Sequence, residues 1–186
     1  MIILILPDIP SEDALLARAL HGDQDAIRRV YQAYFPPIYQ FIRLRVEDRA
    51  LAEDLASEVF VKFIGALRTP AAPRKSLRGW LFRVARNEIY QHFGKVKAFP
   101  ATTLDEWIPA PASDDPEMQL VRSLDADRVR DALRQLSDDQ QEVLILRFGQ
   151  ALTPGETADV MGKSVAAVKV TQFRALKRLR GLLKHR

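Results

Sequence analysis

Basic and aromatic side chains alternate along residues 77–97, and the chemistry that this pattern suits is nucleic-acid binding. Arg78, Phe82 and Arg86 recur every four residues, with Tyr90 one turn further on. Aromatic rings stack on unpaired bases while guanidinium groups hold phosphates, and each stacked base contributes roughly 1–3 kcal/mol. For any one of these rings, Trp80 among them, a core position is the stronger interpretation. The candidate single-strand contacts, two of them from the preceding loop, are Arg74, Lys75, Arg78, Trp80, Phe82, Arg83, Arg86, Asn87 and Tyr90.

A second basic segment, near the end of the chain, has the spacing of a helix-turn-helix. Ala158, Gly162 and Val168 supply the small contact residue, the turn glycine and the apolar lock that this motif needs. The N-terminal part of the second helix then reads base edges in the major groove, while longer cations hold phosphates. An ordinary helical hairpin is the alternative. The candidate duplex contacts are Ser164, Ala166, Ala167, Lys169, Val170, Thr171, Arg174, Lys177 and Arg178.

The net charge of +4 is unevenly distributed along the sequence. Residues 68–97 carry eight basic side chains and one acidic one, and residues 163–186 carry eight basic side chains and no acidic one. Residues 98–117 carry five acidic side chains and no basic one. Two basic blocks are the electrostatic footprint of a polyanion, although a solvated helix face is the alternative for either block alone.

The composition argues against several classes of protein. With 47% hydrophobic and 28% charged residues, the 186-residue chain is expected to fold. The absence of cysteine and the scatter of three histidines disfavour disulfides, cysteine nucleophiles and metal sites, so no metal and no cofactor are expected. No apolar run approaches the roughly 20 residues of a membrane span, and Met1–Leu6 lacks the features of a secretory signal. A cytoplasmic location is therefore expected.

Helical periodicity runs through almost the whole sequence, and no alternating strand pattern occurs. The predicted fold is all-α, with two small helical domains over residues 11–97 and 117–186. A flexible acidic linker is predicted at 98–116, where prolines are frequent and basic residues are absent. Pro36 and Pro37 are expected to interrupt a helix, because proline removes a backbone donor and clashes with the preceding turn. The apolar stripes expected to face the core include Phe93 in the first domain and Phe173 in the second.

The predicted helix at 48–67 has an acidic and apolar face. Asp54 and Glu58 lie one turn apart, a like-charge pair that costs about 0.2–0.5 kcal/mol. A salt bridge from Lys62 to Glu58 is one interpretation, and a docking face for a protein partner is the other. Neither residue has a histidine nearby in sequence, so a metal-dependent enzyme acting on nucleic acid is disfavoured and no catalytic residue is expected.

Four segments together resemble the sigma-70 family, and within it the short extracytoplasmic-function group, which has only the region 2 and region 4 domains. They are Ala52–Phe60, Arg78–Asn87, Leu136–Leu144, and Val168-Lys169 followed by Arg174-Ala175. The resemblance extends over about residues 12–184. The sequence departs from the family at Ser57, where glutamine is common, and at residues 170–172, where Ser-Arg-Leu is frequent.

The resemblance implies a function in transcription initiation. The first domain is expected to dock on core RNA polymerase through Asp54, Glu58, Leu55 and Phe60, and to open the minus-ten element with the single-strand contacts. The second domain is expected to read the minus-thirty-five element of promoter DNA with the duplex contacts. The linker is expected to pass through the polymerase cleft. The family's usual control is a separate anti-sigma factor, and no small-molecule substrate is expected.

A stand-alone helix-turn-helix regulator is the alternative function. Such a protein needs a dimer interface or a sensing domain. It also leaves the basic aromatic helix and the acidic linker unexplained. Tight, specific binding to duplex promoter DNA without polymerase is the observation that favours it.

Overall fold

The structure is a computed structural model that describes residues 12–94 and 127–184, here called the first unit and the second unit. Both units are helical, and the described ranges contain no strand, which confirms the predicted fold class. The predicted linker at 98–116 lies outside these ranges, and the domain boundaries stay a prediction. The helices of the first unit are α1 Glu12–Leu20, α2 Gln24–Arg43, α3 Arg49–Ala66 and α4 Leu77–Phe93.

In the second unit α5 occupies residues 127–134, and α6 (Asp138–Leu144) continues into a π-helical turn, Ile145–Gly149. The last two helices are α7 Pro154–Met161 and α8 Val165–Lys184. No helix among the described residues is both long enough and apolar enough to cross a membrane.

Side-chain caps fix the helix starts of the first unit. Asp23 and Asp48 each accept two backbone N–H bonds from the first turns of α2 and α3, and Ser76 accepts one from Gly79 in α4. These bonds satisfy amide groups that a helix start otherwise leaves unpaired. At the other end of α4, Gly94 has a positive φ of 72°, which glycine adopts without steric cost.

The expected break at Pro36 and Pro37 is wrong, because α2 runs without interruption through both residues. Each proline removes one backbone donor and crowds the preceding turn, at a cost of about 3 kcal/mol or more in a helix interior. Burial of the apolar face on both sides of the prolines offsets this cost. Val30, Tyr34 and Ile38 are at most 2% exposed, and Pro37 is itself buried.

The core of the first unit lies between α2, α3 and α4. Phe41, Phe63 and Phe82 are its largest side chains, each at most 1% exposed, and the rings of Phe41 and Phe82 meet edge to face. The same buried cluster continues without a break into the second unit, through residues of α6, the π turn and α7 that include Val143, Ile145, Leu146, Val160 and Met161. The two units therefore share one core, a contact that the sequence does not predict.

The helix-turn-helix forms from α7 and α8. Thr153 and Glu156 make a reciprocal capping box at the start of α7, and Gly162 ends that helix with a φ of 64°. Ser164 Oγ accepts a bond from the backbone N–H of Ala167 at the start of α8. These features confirm the predicted turn chemistry. A second cluster, formed by Leu133, Leu136, Leu144 and Ala175, seats α8 on α5 and α6.

Candidate nucleic-acid interface

The start of α4 is bound to the second unit through Glu156. Ser76 Oγ donates to the carboxylate at 2.7 Å, and Arg78 Nη2 donates to it at 3.0 Å. Burial raises the pKa of Glu156, but bonds from Ser76, the Thr153 backbone and Arg78 outweigh burial and leave the pKa below its usual value. Glu156 is therefore an anion at neutral pH, held jointly by its own helix cap and by α4.

Further along α4, Arg86 is paired with Glu142 of the second unit. Its Nε lies 2.9 Å from Glu142 Oε1, and Arg45 Nη1 approaches the same oxygen at 3.1 Å. The side chains of Arg45 and Glu142 are 5% and 3% exposed, and that of Arg86 is 15% exposed. The Arg86 guanidinium also lies over the Tyr90 ring, 4.3 Å from its centroid. One buried carboxylate thus pairs with two arginines of the first unit.

A polar link extends from α4 back to α1. The Tyr34 hydroxyl donates to Glu12 at 3.0 Å, and the other Glu12 oxygen accepts from the backbone N–H of Arg78 at 3.1 Å. Burial, followed by the negative charge of Glu12, raises the pKa of Tyr34, so the phenol stays protonated at neutral pH. Glu12 therefore satisfies a donor that the start of α4 leaves open.

Trp80 orders the loop before α4. Its indole N–H donates to the carbonyl of Ala71 at 2.9 Å, and its ring meets Phe63 edge to face. Arg74 and Lys75 of the same loop are exposed, as are Arg83 and Asn87 on α4. The structure thus leaves four of the nine predicted single-strand contacts exposed, while Trp80 and Tyr90 are half-buried.

Two ring positions on α4 were misassigned from the sequence. Phe82, predicted as a base-stacking residue, is fully buried against Phe41, so its ring is not available to a base. Phe93, expected in the core, is 47% exposed at the last turn of the helix. The buried face of α4 includes Leu81, Ala85 and Ile89. Phe82 follows Leu81 at about 100° around the helix, close enough to join that face.

The predicted duplex contacts lie on α8 and face outward. All of them are exposed except Thr171, which is half-buried. Among the described residues no salt bridge involves the basic side chains Lys169, Arg174, Lys177, Arg178 or Arg180. The expected inward stripe is partly wrong, because Phe173 is 68% exposed and Val168 and Ala175 alone are buried along this helix. The exposed face of α8 is therefore both basic and apolar.

The predicted docking face on α3 is partly exposed. Asp54 is exposed and Leu55 and Glu58 are half-buried, whereas Phe60 is 4% exposed and presents no open surface. Phe60 instead packs between the rings of Tyr31 and Phe35. Lys62 binds Glu88 of α4 at 2.6 Å rather than Glu58. Val61 and Ile64, at 61% and 52% exposed, extend the apolar part of the face.

Glu142 and Glu156 were not recognised from the sequence as residues of this site. Glu156 forms the cap of its own helix, but its contact with α4 needs a partner outside α7. Glu142 stands directly before the apolar run Val143–Leu146. An acid at the edge of such a run signals a buried charge that requires a cationic partner. Among the described residues, no three histidine, aspartate or glutamate side chains cluster as a metal site would require.

Comparison with protein families gives the class of the chain. Residues 30–98 match the model for Sigma-70 region 2, and residues 132–181 match the model for Sigma-70, region 4. These matches cover more than half of the chain, in the expected order. The chain belongs to the sigma-70 family of RNA polymerase sigma factors.

Its similar relatives are sigma factors of the extracytoplasmic-function (ECF) group. It is 37% identical to the ECF RNA polymerase sigma factor BldN of Streptomyces coelicolor over 170 residues, which are 91% of this chain and 64% of that protein. It therefore spans less than two thirds of BldN. It is 34% identical to ECF RNA polymerase sigma factor SigD of Mycobacterium tuberculosis over 175 residues, which cover 90% of this chain and 82% of SigD.

Solved structures share the fold. CnrH, in complex with the cytosolic domain of CnrY, matches with a TM-score of 0.62 at 24% identity, covering 92% of this chain and 96% of that one. The sigma factor RpoE, in complex with the anti-sigma factor NepR from Bartonella quintana, matches with a TM-score of 0.59 at 23% identity, covering 85% and 96%. At this identity the likeness concerns the fold alone.

Proposed function

We propose that this chain is an ECF sigma factor that binds core RNA polymerase and directs promoter-specific transcription initiation. The observation that carries the proposal is the match of both units, in order, to sigma-70 regions 2 and 4. The exposed basic helix of the helix-turn-helix supports it, because a sigma factor must present such a helix to duplex DNA. In this proposal the chain binds and positions DNA and has no catalytic step of its own.

The second unit is proposed to bind the minus-thirty-five element through α8. Ser164, Ala166 and Ala167 lie at its exposed N-terminal turn, where a recognition helix meets base edges. Lys169 and Arg174 lie within reach of bases or phosphates, and Lys177 and Arg178 further along are suited to phosphates. The lack of salt bridges to these four cations among the described residues supports a free electrostatic face.

The first unit is proposed to bind the opened minus-ten element. The exposed Arg74 and Lys75 flank the loop that Trp80 orders, and Arg83 and Asn87 lie on the exposed side of α4. A base flipped out of the duplex needs stacking and edge contacts together, and the ordered loop beside α4 offers both. Phe82 is not included among these contacts, because it is buried.

The polymerase is proposed to dock on α3 through Asp54, Leu55 and Glu58, with the exposed Val61 and Ile64 beside them. Phe60 is buried and contributes only by packing beneath the exposed residues of this surface. Control by an anti-sigma factor is supported by analogy with RpoE, which was crystallised in complex with one. The proposed place of action is the cytoplasm, where the polymerase works.

Run-off transcription with core polymerase on a promoter library tests the function directly. We expect discrete transcripts that require the chain and carry a common upstream motif. Failure to direct any transcript would contradict the proposal. A stand-alone regulator would instead bind duplex promoter DNA tightly and specifically without polymerase in a gel-shift assay.

The docking face has its own test. Reversing both charges with Asp54→Lys and Glu58→Lys should abolish binding to core polymerase, since like-charge contact across an interface costs several kcal/mol. Co-purification with core polymerase measures the effect. The matched control reverses two exposed acids elsewhere, Asp13 and Asp159, and should bind normally. Normal assembly of the first variant would place the docking face elsewhere.

A further inference from the structure

The guanidinium of Arg147 contacts both the turn that leads into α7 and the helix α8. Its Nε donates to Gln172 Oε1 on α8 at 3.0 Å, and its Nη1 donates to the carbonyl of Leu152 just before α7. Arg147 and Gln172 are half-buried, so these bonds are partly shielded from water. None of the three residues belongs to the predicted duplex contacts. One side chain thus links the start of α7 to the middle of α8.

The backbone that presents Arg147 is irregular. Arg147 lies within the π-helical turn Ile145–Gly149, and Ala151 then adopts a φ of 52°, in the left-handed region that residues other than glycine rarely occupy. Turns of this kind persist where surrounding contacts hold them, and they are frequent at functional sites. The bond from Arg147 to the Leu152 carbonyl is one contact that holds this turn.

Apolar packing fixes the rotation of α8 only weakly. Val168 and Ala175 are the two buried residues of this 20-residue helix, and alanine offers a single methyl group. Gln172 follows Val168 by four positions and precedes Ala175 by three, so it lies beside the same seam. Apolar contact is non-directional, whereas a hydrogen bond weakens steeply when its angle changes. The bond from Arg147 therefore resists rotation of α8 about its own axis.

Rotation of α8 changes which side chains can meet a base. Ala166, Val170 and Phe173 are exposed on the side of the helix opposite the seam of Val168 and Ala175. Side chains extend about 5–6 Å from the helix axis, so a rotation of about 20° moves their ends by about 2 Å. Hydrogen bonds tolerate only a few tenths of an ångström. A loosely held α8 would thus lose its discrimination between base edges.

We propose that Arg147 is a positioning residue for DNA recognition, which sets the rotation of α8 by binding Gln172 and the Leu152 carbonyl together. The proposal rests on the proposed function, because it concerns the same duplex contacts. In it Arg147 does not touch DNA. A direct bond from Arg147 to a phosphate is the competing assignment, and it predicts a different salt dependence and no dependence on Gln172.

The first test compares Arg147→Met, Gln172→Met and the double variant in the holoenzyme. Methionine keeps an unbranched side chain but lacks both the guanidinium donors and the amide oxygen. Filter binding gives the affinity ratio between a promoter found by run-off transcription and the same DNA with a scrambled minus-thirty-five element. We expect this ratio to fall about 3- to 10-fold in each single variant, a range typical of one hydrogen bond, and no further in the double variant. The matched control Gln135→Met, at an exposed position of the same unit, should keep the wild-type ratio.

A conservative variant and the salt dependence distinguish positioning from direct contact. Gln172→Glu keeps an acceptor oxygen for Arg147, so the ratio should stay at the wild-type value while the added negative charge weakens binding to both DNAs. The slope of log affinity against log salt should not change in Arg147→Met, whereas loss of a phosphate contact reduces it by about one. A reduced slope with equal loss on both DNAs, or an unchanged ratio in Gln172→Met, would overturn the proposal.

The rotation of α8 can also be measured without polymerase or DNA. The chain has no cysteine, so Asp159→Cys on α7 and Arg180→Cys on α8, both at exposed positions, accept one pair of spin labels. The distribution of label-to-label distances should broaden in Gln172→Met and stay narrow in Gln172→Glu and Gln135→Met. The same distribution in all of these variants would overturn the proposal, and this readout does not require Arg147→Met to fold.

These outcomes separate the positioning of α8 from the proposed function. A distance distribution that broadens in Gln172→Met supports the positioning whether or not the chain directs transcription. A wild-type chain that fails in run-off transcription contradicts the sigma-factor function. A chain that transcribes, but has the same affinity ratio in wild type and Gln172→Met, contradicts only the assignment of Arg147.

Discussion

The basic faces of α4 and α8 carry similar charge in different surroundings. On α4, Arg78 and Arg86 are 20% and 15% exposed and are paired with acids of the second unit. On α8, Lys169, Arg174 and Lys177 are exposed, and no salt bridge to them occurs in the described ranges. One face is neutralised inside the molecule, and the other is open to a polyanion.

This difference shows that a basic block in a sequence gives the charge of a segment but not whether its side chains are exposed to a ligand. The two blocks have nearly equal net charge, yet Arg78 and Arg86 of the first are paired with acids, whereas the cations of α8 in the second are exposed. Exposed cations contribute little to folding and remain free for binding. Buried ion pairs contribute to the geometry of the fold, and removing one partner leaves an uncompensated charge. Mutations on the two faces should therefore separate stability from DNA binding.

The largest effect is expected at Glu142. Its replacement by alanine removes the carboxylate from Arg45 and Arg86 and should lower the free energy of unfolding by about 3 kcal/mol. Urea denaturation followed by circular dichroism measures the change. Asp159→Asn, at an exposed position of α7, should stay within about 0.5 kcal/mol of wild type. Equal stability of Glu142→Ala and wild type would show that the pair is not buried in solution.

The opposite result is expected at Arg174. Its replacement by alanine should leave unfolding and polymerase binding unchanged, because the side chain is exposed and makes no salt bridge among the described residues. Binding of the holoenzyme to promoter DNA should weaken by about 1–3 kcal/mol, roughly 5- to 150-fold. Filter binding on a promoter and on a scrambled minus-thirty-five element measures it. Equal loss on both sequences would identify a phosphate contact rather than a base reader.

Local features of the fold were predictable because each depends on a few neighbouring residues. The caps at Asp23, Asp48 and Ser76, and the turn at Gly162, follow from side chains that bond their own backbone or adopt a positive φ. The helix-turn-helix followed from the spacing of such signals. The continuity of α2 through its prolines did not follow from such local signals, because burial of the helix against the rest of the unit decides it.

The site was less predictable because its key contacts join residues far apart in sequence. Glu142 lies 97 positions from Arg45 and 56 from Arg86. Periodicity assigns residues to helix faces, but it does not say which face meets another unit. Phe82 on α4 and Phe173 on α8 show the same limit within a single helix, since adjacent positions differ by about 100° and periodicity does not fix where the buried face ends.

The smallest effect, and the finest test of the comparison, is the pH dependence of the contact at Glu156. Separation of the two units would break the bonds of Glu156 to Ser76 and Arg78 but not its bonds to Thr153, which belong to its own helix cap. Separation should therefore return the pKa of Glu156 toward its usual value. A carboxyl whose pKa is lowered by a contact stabilises that contact at every pH above the ordinary pKa of the group. The contribution is lost as the pH falls through the lowered value.

Energy transfer between dyes on cysteines introduced at positions 32 and 135, one in each unit, should therefore differ between wild type and Glu156→Gln at pH 7. The difference should shrink as the pH falls below the ordinary glutamate pKa and vanish below the lowered one. Duplex binding by α8 should be equal in the two chains across the same range, because the contacts of Glu156 are with α4 and with its own helix cap. A pH-independent difference in energy transfer would mean that Glu156 holds α4 through packing and not through its charge.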